Sequence, residues 1–115
     1  MSAGVASFKQ AMRGVAVTLQ SAATTGNGIA VAVPKNLVYH RINVKGNGTI
    51  GAGAIQVESA DNPGYTGTWN PIGSPISVVS SAEIEVVFTG SYAASRARIS
   101  TTVTTTSVTV TYTAD

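Results

Sequence analysis

The feature that most constrains this chain is a two-residue alternation of β-branched and polar side chains. It is clearest in residues 108–113 (VTVTYT) and 82–89 (AEIEVVFT). Side chains of a β-strand point alternately to the two faces of a sheet, so this period predicts strands with one apolar and one polar face. Valine and isoleucine number 23 against two leucines, and β-branched residues suit strands better than helices. We therefore predict an all-β domain.

Turn signals rich in glycine, asparagine and threonine divide this alternation into seven or eight short strands. Such spacing is typical of an antiparallel β-sandwich or a small barrel. We predict a β-sandwich domain over residues 15–115, preceded by a short N-terminal arm over residues 1–14. The clearest candidate strands are residues 15–20, 29–33, 37–45, 50–59, 82–89, 96–103 and 108–113.

The predicted arm, residues 1–14, shows no strand alternation. Phe8 and Met12 have a helical spacing, with Lys9 and Arg13 beside them. Two interpretations stay open: a frayed or helical terminus, or an arm that docks on a neighbouring subunit. In the second, these four residues are candidate partner-binding residues, with Phe8 and Met12 as anchors.

The composition excludes several kinds of chemistry. The chain has no cysteine, which excludes disulfides, thiolate catalysis and cysteine-based metal sites. It has no apolar stretch long enough for a transmembrane helix. Its net charge of +2 is too small to indicate nucleic-acid binding, so neither a membrane nor a nucleic acid is an expected partner.

The titratable residues do not form a catalytic pattern. His40 is the only histidine, and no carboxylate lies near it in sequence to orient it as a base or to complete a metal site. Glu58 and Asp61 could form a glycosidase-like or Ca²⁺-binding pair, but a strand-end charge beside a turn-capping aspartate explains them more simply. We predict no enzyme activity, no cofactor and no metal.

A long loop over residues 60–77 carries Tyr65 and Trp69. Loops of this length inside compact domains are uncommon and often functional. Aromatic side chains also contribute much of the binding energy of protein interfaces. Tyr65 and Trp69 are therefore candidate partner-binding residues.

Four charged residues share an i, i+2 spacing. Glu83 and Glu85 lie on one face of their strand, and Arg96 and Arg98 lie on one face of theirs. We predict that these opposite charges form cross-strand or intersubunit pairs.

The last third of the chain, residues 78–115, resembles bacteriophage virion accessory β-sandwich proteins of the capsid decoration, cement or head-fibre type. The resemblance rests on the run Gly90-Ser91-Tyr92, then AASRARIS at residues 93–100, and VTVTY at residues 108–112. In such proteins a glycine-tyrosine approach leads into an arginine-alternating strand and a final hairpin rich in serine and threonine.

The resemblance implies a jelly-roll-like fold and a non-enzymatic homo-oligomer, most often a trimer. It also implies a place on the capsid surface of the virion, after synthesis in the bacterial host cytoplasm. Its partner would be the major capsid protein or another virion protein.

The residues agree with the class that the resemblance implies, because they favour a chain that is buried in an assembly. Only 10% of them are charged, so edge strands of an open sandwich need another form of protection, and burial in an oligomer supplies it. We therefore predict a structural virion protein, a decoration or cement protein that binds and stabilises the phage head. The alternative is a host-receptor or carbohydrate-binding module of a phage fibre or tail, in which Tyr39, Tyr65 and Trp69 stack on sugars.

Overall fold

The computed structural model describes residues 8–34, 36–62 and 65–115, which form strands and connecting segments without a helix. The predicted all-β class is confirmed. The strands are β1 (Phe8–Gln10), β2 (Val17–Ala23), β3 (Ala30–Ala32), β4 (Tyr39–Gly46), β5 (Ala54–Ala60), β6 (Asn70–Pro71), β7 (Ile76–Ser77), β8 (Glu83–Thr89), β9 (Ala94–Thr101) and β10 (Val108–Ala114).

The strands form two sheets. Sheet A has the order β1-β3-β9-β5-β6, with β7 also paired to β5, and sheet B has the order β2-β10-β4-β8. The pairs are antiparallel except for β1 with β3, which is parallel. Apolar side chains from both sheets form one main core, so the fold is sandwich-like. Its members include Leu19, Val31, Ile42, Val44, Ile55, Val57, Ile99, Val108, Val110 and Tyr112.

The interior strands follow the predicted alternation. Val108, Val110 and Tyr112 of β10 are fully buried, and the residues between them are only partly buried. On β5, Ile55 and Val57 lie two residues apart and both point into the core. A period of two therefore identifies the core face of these strands correctly.

The structure describes ten strands where the sequence predicts seven or eight. The additional strands are β1, β6 and β7, which have only two or three residues each. Strands β6 and β7 both pair with β5, at Pro71 opposite Glu58 and Ile76 opposite Ile55. Segments this short contain too few residues to show a period, so alternation does not detect them.

The N-terminal segment enters sheet A as a strand. Residues 1–7 of the predicted arm lie outside the described residues. Phe8–Gln10 pairs with β3, so a helix is wrong for these residues. The chain then crosses toward sheet B, where the Gly14 amide donates to the Ala114 carbonyl at 2.9 Å. Gly14 has φ +73°, a left-handed conformation that suits glycine, at the turn where this crossing occurs.

Strand β8 differs from the expectation of a buried apolar face. Ile84, Val86 and Phe88 alternate as predicted, but they are only half-buried. Strand β8 ends sheet B and pairs with β4 alone, so no neighbour covers its other side within the described part of the chain.

Candidate functional site

Trp69 holds the loop after β5 against the outer face of sheet A. Its ring packs on three alanines, Ala30, Ala60 and Ala94, and is only 4% exposed. Its Nε1–H donates to the Tyr65 carbonyl at 3.1 Å. The small alanine side chains leave room for the indole ring. Trp69 is therefore an anchor inside the chain, and it lacks the exposure that the predicted partner-binding role requires.

Beside Trp69, one buried carboxylate binds two arginines. Glu58 of β5 accepts a hydrogen bond from Arg96 Nε at 2.8 Å and another from Arg98 Nε at 3.0 Å. The Arg96 guanidinium also lies over the Trp69 ring, 4.4 Å from its centroid. A buried carboxylate needs such partners, and charge-assisted hydrogen bonds are the strong ones. This Glu58 cluster therefore stabilises the contact between β5, β9 and the loop.

The predicted cross-strand pairing of Glu83 and Glu85 with Arg96 and Arg98 is wrong within the chain. Strand β8 carries the two glutamates in sheet B, whereas β9 carries the two arginines in sheet A. Equal spacing cannot bring side chains together when their strands lie in different sheets. In the register of sheet B, Glu83 instead lies opposite Lys45. The intersubunit form of the pairing stays a prediction.

His40 lies in an aromatic cluster between β4, β8 and β10. Its Nε2 is 2.8 Å from the Gly90 carbonyl, which can only accept, so Nε2 carries the proton. Nδ1 therefore accepts from the Tyr112 hydroxyl at 2.5 Å. The imidazole stacks on Phe88 with 4.8 Å between centroids. Both ring nitrogens of His40 are therefore hydrogen-bonded within the chain. Burial raises the pKa of the Tyr112 phenol above its ordinary value.

Three of the other predicted partner-binding residues have exposed side chains. Met12 is 61% exposed, and Arg13 and Tyr65 are also exposed, so all three are accessible in the isolated chain. The side chains of Phe8 and Lys9 lie outside the described residues.

Exposed apolar side chains gather around the end of β10. Arg13 forms a backbone bridge to Ala114, which places its neighbours beside this strand end. On the other side, the amides of Val38 and Tyr39 both donate to the Asp115 carbonyl at 3.1 Å. Apolar side chains with charged neighbours are typical of protein interaction sites. We call this set the β10-end patch, and it consists of Met12, Val15, Val38 and Tyr39.

A shallow polar cleft lies at the opposite end of β4. It is lined by the turn after Lys45 and by Ser81 of the loop before β8. The side-chain Nδ2 of Asn47 in this turn already donates to the Ser107 hydroxyl at 3.1 Å and to the Thr109 hydroxyl at 3.0 Å. Its polar groups therefore support the turn and the last hairpin.

Across residues 8–34, 36–62 and 65–115, no three histidine or acidic side chains come together in a way that could hold a metal ion. The same residues include no helix that could span a membrane.

Comparisons with known proteins give no relative. No protein-family model matches the chain, and neither the curated proteins nor the solved structures provide a match.

Sequence reasoning missed two features of these surfaces. One is the role of Glu58 as the partner of both arginines, and the other is the burial of Trp69. A signal for the first was present, because Glu58 is the one acidic residue inside the 50–59 strand pattern, and the arginines alternate on theirs. The alternation alone does not predict that β5 and β9 are neighbours, which is what brings Glu58 next to the two arginines.

Proposed function

We propose that this chain is a structural protein of a bacteriophage virion, a capsid decoration or cement protein that binds and stabilises the head through surface contacts. The observation that carries the proposal is the order of the strands in the two sheets. The resemblance of residues 78–115 to virion accessory proteins points to the same class.

The strand order supports a jelly roll. Strands β2, β3, β4 and β5 pair in turn with β10, β9, β8 and β6, and all four pairs are antiparallel. This is the pairing of one long hairpin rolled into two sheets, with the pairs falling alternately in sheet B and sheet A. Double-sheet jelly rolls of eight strands recur in viral capsid and lectin domains. Strand β1 lies outside these four pairs, at the edge of sheet A next to β3. Strand β7 pairs with β5 on the same side as β6.

The buried side chains of Glu58 and His40 are hydrogen-bonded within the chain, which supports a role in binding another protein. The Glu58 carboxylate is occupied by two arginines, and both nitrogens of His40 are hydrogen-bonded within the chain. These groups stabilise the contacts between strands. The proposed function therefore rests on contacts that the exposed surface makes with another protein.

The β10-end patch is the surface that we assign to the capsid. Its four side chains are each exposed, and backbone hydrogen bonds place their segments around the strand end that carries the Arg41–Asp115 ion pair, at 3.4 Å. Aromatic residues, methionine and arginine are enriched in protein interfaces. Met12 and Arg13 are also residues that the sequence predicts as partner-binding. The partner is the major capsid protein or another head protein.

The experiment uses the phage that encodes the chain. Virions lacking the gene should lose an outer layer of head density in electron cryomicroscopy and should release their DNA at a lower temperature. Adding the purified chain should restore both. Virions that contain the chain only in the tail, or that contain none of it by mass spectrometry, would overturn the proposal.

The patch is tested with a matched pair of variants. Met12→Asp should weaken binding to heads that lack the chain by about tenfold or more, because a charge would be buried in the contact. Val79→Asp is the control, since Val79 is an exposed apolar residue that follows β7, outside the patch. Equal binding by the two variants would remove the patch from the capsid contact.

The carbohydrate-binding alternative has weaker support. Stacking on a sugar requires an accessible aromatic face, whereas Trp69 is buried under the Arg96 guanidinium. Tyr65 and Tyr39 stay exposed, but Tyr39 lies on β4 of sheet B, whereas Tyr65 lies in the loop between β5 and β6 of sheet A, so nothing described joins them into one stacking platform.

A further inference from the structure

Strand β8 presents an open backbone edge. The hydrogen bonds from the Gly46 amide to the Ala82 carbonyl and from the Gly90 amide to the Val38 carbonyl show that even-numbered residues here face β4. In an antiparallel ladder the alternate residues face the other way. The N–H and C=O groups of Glu83, Glu85, Val87 and Thr89 are therefore directed away from β4, at the end of the described sheet B. Of these groups, the Thr89 carbonyl also accepts a long hydrogen bond from the Tyr92 hydroxyl at 3.4 Å.

This edge carries little protection against pairing. Natural edge strands are commonly protected by lysine, proline or a bulge. Strand β8 has neither residue type, and its register with β4 runs without interruption from Glu83 to Thr89. Val87 is 42% exposed on its outer face. Glu83 and Glu85 are the only charged residues of strand β8.

We propose that β8 pairs antiparallel with β8 of a second copy of this chain around a two-fold axis, with Val87 opposite Val87 of that copy. In a pairing of this kind the same surface serves in both subunits. The two Val87 residues exchange a pair of backbone hydrogen bonds, and the two sheets B become one sheet of eight strands.

The glutamates exclude two other registers, and the exposed Val87 favours the proposed one. Like charges placed directly opposite each other destabilise a sheet. A pairing centred on Glu85 would place two carboxylates opposite each other, and one centred on Ile84 would place Glu83 opposite Glu85. A pairing centred on Val87 places Glu85 opposite Thr89 and brings the two exposed valines together.

The same register completes the inner face of the strand. It places Val86 opposite Phe88 of the second copy, so the half-buried apolar residues of both β8 strands cover each other. On the outer face, Tyr39 is opposite Thr89 within each chain and diagonal to Val87. A diagonal neighbour is within reach of an aromatic ring, so Tyr39 and Val87 line an apolar strip across the axis. A second copy therefore satisfies the hydrogen bonds, the charges and the apolar contacts of this edge together.

The pairing does not require the virion role, although Tyr39 lies in both proposed contact surfaces. It requires only this chain, so its test uses purified protein without phage heads, and either proposal can fail without the other. Its two-fold symmetry builds a dimer, whereas the trimer that the resemblance implies would require a different contact.

A single cysteine tests the register, because the chain has no cysteine of its own. Opposite residues of a hydrogen-bonded antiparallel pair have Cα atoms about 5.5 Å apart, within the range of a disulfide. Val87→Cys should therefore form a disulfide-linked dimer on mild oxidation. Glu85→Cys should not, because the two positions would lie about 13 Å apart along the strands.

Val79→Cys is the matched control for random collision, since Val79 is 44% exposed. We expect Val87→Cys to cross-link at least about tenfold faster than either control at equal concentration, because its pair is held within disulfide reach. Equal rates at residues 79 and 87, or a faster rate at residue 85, would overturn the proposed pairing.

The mass in solution provides a second readout. Light scattering of the wild-type chain should give twice the 11.6 kDa of one chain. Val87→Lys should give the mass of one chain, because it places two ammonium groups opposite each other, and Val79→Lys should keep the doubled mass. Matching circular dichroism spectra would show that both variants fold. A wild-type mass of one chain, or of three, would overturn the two-fold pairing.

Discussion

Strands β10 and β8 have nearly the same sequence pattern and different surroundings. Both have seven residues with an apolar side chain at every second position, and β8 has one further apolar residue, Val87, on its other face. Strand β10 lies between β2 and β4, and its apolar residues are fully buried. Strand β8 ends the same sheet, and its apolar residues are only half-buried. The alternation therefore shows which side chains share a face, whereas the position in the sheet decides how completely that face is covered.

The largest expected effect comes from truncating matched valines on the two strands. Val110→Ala on β10 should lower the free energy of unfolding by about 2 kcal/mol, because it removes two buried methyl groups and leaves a cavity. Val86→Ala on β8 should cost about 1 kcal/mol or less, since its side chain is already half-exposed. Urea unfolding below the dimerisation concentration measures both. Equal losses would show that the two strands are covered alike.

A smaller effect concerns the pH dependence of β10. Burial raises the pKa of Tyr112, so the folded chain keeps its phenol proton at a pH where the unfolded chain loses it. The folded state then binds more protons, and stability must fall as the pH rises above about 10. Between pH 10 and 11 we expect this residue to account for a loss of about 1 kcal/mol.

Tyr112→Phe tests this assignment. The variant should be less stable at neutral pH, because Nδ1 of His40 loses the hydroxyl that donates to it. Its stability should then fall less steeply than that of the wild type between pH 10 and 11. Tyr39→Phe is the control, since Tyr39 is exposed. Parallel pH curves for Tyr112→Phe and the wild type would contradict the role of the buried phenol.

The local sequence pattern was sufficient to predict the features of the fold that depend on neighbouring residues in the sequence. The inward residues of β5 and β10 follow from a period of two, since burying one face is the only use for such a pattern. The turns between these strands follow from their glycine and asparagine residues. The all-β class needs no more than these two signals.

Features that depend on strand order were not predictable in the same way. Arg96 and Arg98 pair with Glu58 because β9 lies beside β5, and no local signal distinguishes this neighbour from β8. Trp69 is buried because the alanines of three separate strands meet beneath it. Each of these contacts joins distant parts of the chain, so a pattern that spans ten residues cannot reveal it.

Hydrogen exchange at β8 tests the central claim most directly, because Val86 and Val87 direct their amides to opposite sides of one strand. The Val86 amide faces β4 and should exchange slowly at every protein concentration. The Val87 amide should exchange quickly in dilute solution and at least about tenfold more slowly once two copies pair, because hydrogen-bonded amides are protected. Fast exchange of Val87 at both concentrations would contradict the pairing, and equal exchange of Val86 and Val87 in dilute solution would contradict the open edge itself.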